Sequence, residues 1–246
     1  IPGKITPDFS KFESPGVKIL KVVRHNKKIK TGALAGNYFA IVLREISDKN
    51  AVEKALLQVQ GGVPNYYGAQ RFGFDGYNVN AALSMFRGRK IKDRFKRGIY
   101  LSAARSYLFN QVVSARIKDN LYAKPMLGDC VQFVANRSFF PLTELDELTE
   151  NRLQRREICL TAPLWGAGEL TSLDDAKAYE SELLSPYQEI QEGLAKNGLK
   201  QERRPLLLVP EKFSSIWLDG NTVKVAFYLP SGCYATSILR ELIKAG

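Results

Sequence analysis

The chain has 246 residues, of which 45% are hydrophobic, enough to build one large domain or two. No run approaches the roughly 18 consecutive apolar residues of a membrane span, and no secretory signal opens the sequence, so we expect no membrane partner. Three widely spaced cysteines fit neither a disulfide framework nor a zinc site and are typical of a reducing cytoplasm. The only histidine, His25, argues against a Ser-His-Asp triad and a multi-histidine metal site.

The net charge of +11 is unevenly distributed along the sequence. Residues 1–97 contain 19 Lys/Arg and 7 Asp/Glu, whereas residues 98–246 contain 17 and 18. A basic half joined to a nearly neutral half is typical of a protein that binds a polyanion. An anionic membrane surface is the weaker interpretation, because no basic stretch also carries a strong apolar helical face.

The first segments combine a loop, a strand and a basic run. Residues 1–16 contain scattered Pro and Gly and predict a loop, and the alternating residues 17–23 predict a strand. Residues 24–30 then contain four Lys/Arg in seven positions. Such a run is either a solvated face or, in this basic half, a contact for RNA or DNA. We interpret His25 as a surface contact and not as a catalyst.

A strand and a helix follow. Residues 38–46 predict a strong strand after the turn signal Gly36-Asn37. Ser47 or Asp48 can cap the next helix, and Gly61 is suited to end it. The apolar positions of this helix follow helical spacing, at Val52, Ala55, Leu56 and Val59.

The loop at 61–73, with sequence GGVPNYYGAQRFG, does not have the composition of a connector. Its four glycines allow close backbone approaches, yet it also places three aromatic residues between Tyr66 and Phe72. Asn65 can both donate and accept hydrogen bonds, and Arg71 is suited to a phosphate or a carboxylate. The loop therefore presents polar and flat groups to a ligand, or it is a structured turn whose aromatic side chains cap the core.

The middle of the chain predicts two helices, at 77–86 and 99–118, separated by a basic run. That run, 87–97, has seven Lys/Arg in eleven residues and marks a domain junction. Residues 128–134 predict a turn followed by a short strand. From 143 to 192 the chain becomes acidic, with 12 Asp/Glu against 4 Lys/Arg, and predicts helices at 143–156 and 172–197, the second interrupted at Pro186. This acidic block is a scaffold or insert and not a phosphate contact.

The C-terminal segment predicts a strand at 206–209, a hairpin and a final helix. Residues 216–218 and 222–229 flank the turn Asp219-Gly220-Asn221, and residues 235–244 have helical periodicity. Tyr234 lies between the last strand and this helix. It either meets a ligand there or is an aromatic residue at the edge of the core.

Five segments occur in a recognisable order: RHNKK at 24–28, GALAGNYF at 32–39, the loop at 61–73, LSAARS at 101–106, and PSGCYATS with REL at 230–242. Together they resemble the tRNA pseudouridine synthase D (TruD) family over nearly the whole chain. The resemblance implies an α+β fold. Residues 1–88 and 209–246 would form a pseudouridine-synthase domain with a mixed or antiparallel sheet, incomplete at its N-terminus. Residues 89–208 would form a family-specific α/β insertion domain.

The resemblance also implies an activity, the isomerisation of uridine to pseudouridine in tRNA, typically at uridine-13 of tRNA(Glu), without a cofactor. The target base is flipped out of the stack, the N-glycosidic bond is broken with the help of an aspartate, and the uracil is rejoined through C5. By resemblance, Asn65 is a substrate-contacting residue, and Tyr67 and Tyr234 stand at aromatic positions beside the uracil. The phosphate-contact candidates are Arg24, Lys27, Lys28 and Arg71.

One departure from the family pattern concerns the catalytic group. The family nucleophile lies in a Gly-x-Lys-Asp motif, which does not occur in this chain, and Asp75 does not match the catalytic position. The catalytic residue is therefore unknown within these residues, and with Ile1 as the first residue we expect that upstream material is missing. The chain alone is predicted to be inactive. The alternative is a non-catalytic RNA-binding module or pseudoenzyme fragment, and a hydrolase with paired carboxylates has little support.

Overall fold

The computed structural model describes residues 8–16, 18–23, 33–136 and 138–243. Two compact units are distinguished, residues 1–35 and residues 36–246. In the described part of the first unit, Phe9–Phe12 forms a 3-10 helix. The strand predicted at 17–23 is wrong, because residues 18–23 have no regular structure and Leu20, Val22 and Val23 are exposed. Alternation alone does not make a strand when no partner strand pairs with it.

The second unit contains nine strands and eight α-helices among its described residues. The strands are β1 (Gly36–Leu43), β2 (Val63–Pro64), β3 (Cys130–Phe133), β4 (Phe139–Pro141), β5 (Ile158–Leu164), β6 (Glu202–Pro205), β7 (Leu207–Leu208), β8 (Glu211–Trp217) and β9 (Val223–Pro230). The helices are α1 (Lys49–Gln60), α2 (Ala69–Phe72), α3 (Tyr77–Phe86), α4 (Arg94–Lys118), α5 (Glu147–Gln154), α6 (Asp174–Leu184), α7 (Gln188–Lys196) and α8 (Ala235–Ile243). Short 3-10 turns occupy Phe74–Gly76 and Ser185–Tyr187. The predicted α+β class with antiparallel sheets is confirmed.

A three-stranded antiparallel sheet in the order β1-β9-β8 forms one core with α1 and α8. Phe39 of β1 lies opposite Phe227 of β9, and both side chains belong to the face that packs on the helices. The hairpin predicted around Asp219-Gly220-Asn221 is confirmed as β8 and β9. The predicted strand at 38–46 is confirmed as β1, with both ends displaced by two or three residues.

A four-stranded antiparallel sheet in the order β4-β3-β5-β6 packs with the long helix α4 and with α3, α6 and α7. The predicted helix at 99–118 begins five residues earlier, at Arg94, because the Asp93 side chain accepts hydrogen bonds from the N–H groups of Phe95 and Lys96. The predicted helix at 172–197 is two helices, α6 and α7, separated by the 3-10 turn that contains Pro186. The helix predicted at 143–156 is the shorter α5.

The helix α1 follows its sequence pattern. Of the two candidate caps, Asp48 makes the bond, accepting from the N–H of Ala51 at 2.9 Å. Its apolar stripe is buried, and Gly61 stands at its C-terminus as predicted. The chain then turns at Gly62, whose φ of 106° lies in the region that favours glycine, and continues as β2. Because β2 pairs with β7, the loop after α1 is attached to the segment that precedes the last hairpin.

Candidate functional site

Asn65 begins the candidate site, immediately after β2. Its backbone N–H donates to the carbonyl of Leu206 at 2.8 Å. Its side chain is buried, with only 3% exposed, and Nδ2 donates to the carbonyl of Pro205 at 2.9 Å. Oδ1 accepts from Nη2 of Arg204 at 2.6 Å. A carboxamide has two N–H groups and two lone pairs, so one of each has no hydrogen bond to the described residues.

Tyr67 is held at both its backbone and its ring. The carboxamide of Asn110, on α4, accepts from the N–H of Tyr67 and donates to its carbonyl, each at 3.0 Å. The Tyr67 ring lies edge-on to Phe109 at 5.6 Å and to Tyr234 at 5.8 Å between centroids. The guanidinium of Arg204 lies 4.2 Å from the centre of the same ring, within the range of a cation–π contact.

Arg71 connects the loop to Tyr234 and to α4. Its Nε donates to the hydroxyl of Tyr234 at 2.8 Å, and its Nη1 donates to the hydroxyl of Ser102 at 2.8 Å. The structure thus places three of the predicted site residues, Tyr67, Arg71 and Tyr234, in mutual contact. Three predicted phosphate contacts, Arg24, Lys27 and Lys28, lie outside the described residues.

The start of α8 packs directly on the loop. A Cβ atom at Gly68 would lie 2.5 Å from Oγ1 of Thr236, so only glycine permits this approach. The Ser237 hydroxyl donates to the carbonyl of Tyr66 at 2.9 Å. These contacts fix the separation between Tyr67 and Tyr234, although the two residues are far apart in the sequence.

A groove of about 940 Å³ borders the loop, and Tyr67 and Asn110 are among the residues that line it. Loop residues 66–69 and Phe72 form one wall, and α3, α4, α7, α8 and the two 3-10 turns contribute the remainder. The Tyr66 hydroxyl is hydrogen-bonded to Ser114 at 3.0 Å, and the Arg240 guanidinium lies 5.0 Å from the Tyr66 ring centre. Asp75, exposed at the edge of this groove, makes no hydrogen bond or ring contact with Asn65, Tyr67 or Tyr234 in the described part of the chain.

Comparison with known proteins assigns the family. A family model described as tRNA pseudouridine synthase D (TruD) matches residues 2–88 and 88–242. The chain is 47% identical over 246 residues to a tRNA pseudouridine synthase D of Aeromonas salmonicida, covering all of this chain and 70% of that protein. It is 42% identical to the protein of the same name from Colwellia psychrerythraea, covering 99% of this chain and 69% of that protein. The chain belongs to the tRNA pseudouridine synthase D family.

The TruD fold is also found by structural comparison. A crystal structure of a TruD protein from Methanosarcina mazei covers 97% of this chain and 76% of its own chain, with a TM-score of 0.62 and 21% sequence identity. At that identity the likeness concerns the fold alone. The resemblance inferred from the sequence motifs is thus confirmed.

Two residues of the candidate site, Asn110 and Arg204, are not predicted by the sequence analysis. Asn110 lies among Leu108, Phe109, Val112 and Val113 on α4, all of them buried. A carboxamide within such an apolar stretch indicates a specific hydrogen bond, because a polar group in a packed region needs a partner. Arg204 had no comparable signal. Its Nε is buried without a hydrogen-bond partner among the described residues.

The cluster of Asn65, Tyr67, Arg71 and Tyr234 has the flat rings and hydrogen-bonding groups that suit a flat ligand with hydrogen-bonding edges. Its one charged residue, Arg71, is a cation. No carboxylate makes an ion pair with Arg71 or Arg204 among the described residues. Within the same part of the chain, no group of three His, Cys, Asp or Glu side chains could hold a metal ion. None of the described helices is long and apolar enough to cross a membrane.

Proposed function

We propose that this chain is part of a tRNA pseudouridine synthase that isomerises uridine-13 of tRNA(Glu). The match of the whole chain, at 47% identity, to a protein named tRNA pseudouridine synthase D carries the proposal. The grouping of Tyr67, Arg71 and Tyr234 around one surface supports it, because a flipped uracil needs flat faces and hydrogen-bonding groups. A tRNA substrate favours a cytoplasmic location, as do three cysteines whose spacing fits no disulfide framework.

The reaction is an isomerisation and balances without a co-reactant. The bond between N1 and C1′ breaks, the uracil turns, and a bond forms between C5 and C1′. The hydrogen at C5 leaves as a proton, and N1 gains one. Because no electrons are exchanged with another molecule, we expect no cofactor. In this proposal the chain holds the flipped base, with Asn65 ordering the site and with Tyr67 and Tyr234 limiting the movement of the ring.

Phosphate contacts are proposed for Arg24, Lys27, Lys28 and Arg71. Arg71 already uses its Nε–H and one N–H of Nη1 within the site, so its contact with RNA would come from Nη2 or from the second N–H of Nη1. The division into a synthase domain, 1–88 with 209–246, and an insertion domain, 89–208, is likewise a proposal. In it the insertion domain supplies both Asn110 and Arg204, which hold the loop of the synthase domain.

We propose further that residues 1–246 alone form no pseudouridine, because they contain no Gly-x-Lys-Asp motif for the nucleophile. The same observation favours one alternative, a non-catalytic RNA-binding module. The two functions are separated by assaying the full gene product and the isolated 246-residue chain on tRNA(Glu) that contains [5-³H]uridine. A transcript with cytidine at position 13 is the matched control.

Each outcome of this assay has a distinct meaning. Tritium released by the full gene product, and not by the isolated chain, is the expected result. Binding of tRNA without tritium release by either protein would favour the non-catalytic module. Release by the isolated chain would contradict its predicted inactivity, and release from the control transcript would contradict the assignment to uridine-13.

A further inference from the structure

The N-terminal end of α4 carries a dense group of exposed cations. We call this group the α4 basic patch, and its members are Arg89, Lys90, Lys92, Arg94 and Lys96, all exposed to solvent. The ring of Phe95, in the middle of the patch, is 75% exposed. A ring this exposed contributes little to the core, so it is accessible to a partner that lies on the patch.

The segment that carries the five cations of the patch contains one carboxylate, Asp93. The two basic residues that flank the patch have partners: Arg87 makes two hydrogen bonds to Glu189, and Arg97 donates to Oδ1 of Asn197 at 2.6 Å. The five patch residues make no ion pair within 4.0 Å among the described residues. Asp93, the acidic residue nearest in sequence, is engaged with the N–H groups of Phe95 and Lys96 as the helix cap.

The placement of these charges opposes helix stability. Arg94 and Lys96 lie in the first turn of a 25-residue helix, and that turn contains no acidic residue. The N-terminus of a helix carries partial positive charge, so cations are disfavoured there and carboxylates are favoured. The charges of Arg94 and Lys96 therefore do not stabilise the helix, whereas an external polyanion would neutralise them.

Aromatic rings accompany the charges. Besides Phe95, the ring of Tyr77 is 55% exposed and lies edge-on to Tyr100 of α4, with 6.2 Å between centroids. Cations combined with exposed rings are the arrangement that binds single-stranded RNA, in which phosphates meet the cations and unpaired bases stack on the rings. An acidic protein segment would satisfy the charges, but it would leave Phe95 without a flat partner.

We propose that the α4 basic patch is a second tRNA-contact surface, with its cations on backbone phosphates and Phe95 on an unpaired base. This inference rests on the proposed function, since it takes tRNA as the occupant. The helix α4 connects the patch to the site, because Ser102 and Asn110 on the same helix contact Arg71 and Tyr67. At 1.5 Å per residue, Arg94 lies about 24 Å along the axis from Asn110.

The test is the double variant Arg94→Glu/Lys96→Glu in the full gene product, with tRNA binding and thermal unfolding measured on the same sample. We expect the dissociation constant to rise about tenfold or more, since two phosphate contacts are lost. The melting temperature should stay unchanged or rise, because carboxylates suit the first turn of a helix. A higher dissociation constant without a lower melting temperature would show that the variant loses tRNA binding and not its fold. The matched control is Arg155→Glu/Lys177→Glu, which changes the net charge equally within the acidic block.

A second variant, Phe95→Ala, tests the stacking contact and should weaken binding about fivefold or more at constant salt. Unchanged affinity in the double variant, or an equal loss in the control, would overturn the inference. A parent protein that binds no tRNA would contradict the proposed function as well. A parent that binds tRNA and a double variant that binds as tightly would contradict this inference alone.

Discussion

The carboxamide of Asn110 makes two hydrogen bonds to the backbone of Tyr67. Its Oδ1 accepts from the Tyr67 N–H and its Nδ2 donates to the Tyr67 carbonyl, each at 3.0 Å. This pair joins the middle of α4 to the loop that carries the candidate site. The ring of Tyr67 meets Phe109, the residue before Asn110, so the helix fixes both the backbone and the side chain of one loop residue. The helix α4 therefore contributes directly to the position of Tyr67.

We predict that Asn110→Asp in the full gene product slows pseudouridine formation. The new carboxylate keeps an acceptor for the Tyr67 N–H but has no donor for the Tyr67 carbonyl, so it repels that oxygen. A small displacement of the loop should lower the single-turnover rate constant about tenfold or more, with tRNA affinity within about twofold. Asn151→Asp, on the surface of α5, is the control. A rate equal to that of the parent would show that the Asn110 clamp does not position the site.

Asn65→Ala should lower turnover more than tRNA binding. The substitution removes the acceptor of Arg204 and the donor to Pro205, and the Arg204 guanidinium stacked on Tyr67 loses its anchor. We expect a turnover rate about 10- to 100-fold lower, from kinetics at saturating tRNA, with a dissociation constant close to that of the parent. Equal losses in rate and affinity would point to a folding defect and count against the proposed role.

Tyr234→Phe and Tyr234→Ala should differ strongly. The phenylalanine variant loses only the hydroxyl that accepts from the charged Arg71, and such a hydrogen bond contributes about 1.5–3 kcal/mol to stability. It keeps the ring beside Tyr67, so we expect a rate within about tenfold of the parent. The alanine variant removes the ring and should be far slower in the same assay. Similar rates for both variants would show that the ring has no role.

The buried ion pair of Arg116 and Asp129 provides a prediction on stability. Both side chains are completely buried, and Arg116 makes two hydrogen bonds to the carboxylate. Arg116→Met leaves a buried carboxylate without its cation, which should lower the free energy of unfolding by about 3–5 kcal/mol in urea titrations. Arg152→Met removes a partly exposed pair with Glu157 and should cost less than about 1 kcal/mol. Equal effects would contradict the importance of burial.

The features that could be predicted from the sequence are those determined by neighbouring residues. The stripe of α1 and the turn between β8 and β9 are local patterns, and both were predicted correctly. The strand at 17–23 was predicted from alternation, which does not reveal whether a partner strand exists. The start of α4 was missed because the basic run concealed the cap at Asp93.

The candidate site was only partly predictable for a related reason. Asn65, Tyr67 and Tyr234 were chosen through the family resemblance, whereas Asn110 and Arg204 belong to the site only through folding. Asn110 is 43 residues from Tyr67, and Arg204 is 139 residues from Asn65. No local periodicity relates positions so far apart, and the packing of α4 and the pairing of β2 with β7 bring them together.

The most direct test of the central claim is the state of position 13 in cellular tRNA(Glu). The gene that encodes this chain is deleted and then restored, and pseudouridine is mapped in purified tRNA(Glu) by carbodiimide labelling and primer extension. We predict that deletion removes the modification at position 13, that the intact gene restores it, and that the Asn65→Ala gene restores it poorly. Full modification of position 13 in the deletion strain would contradict the proposed function.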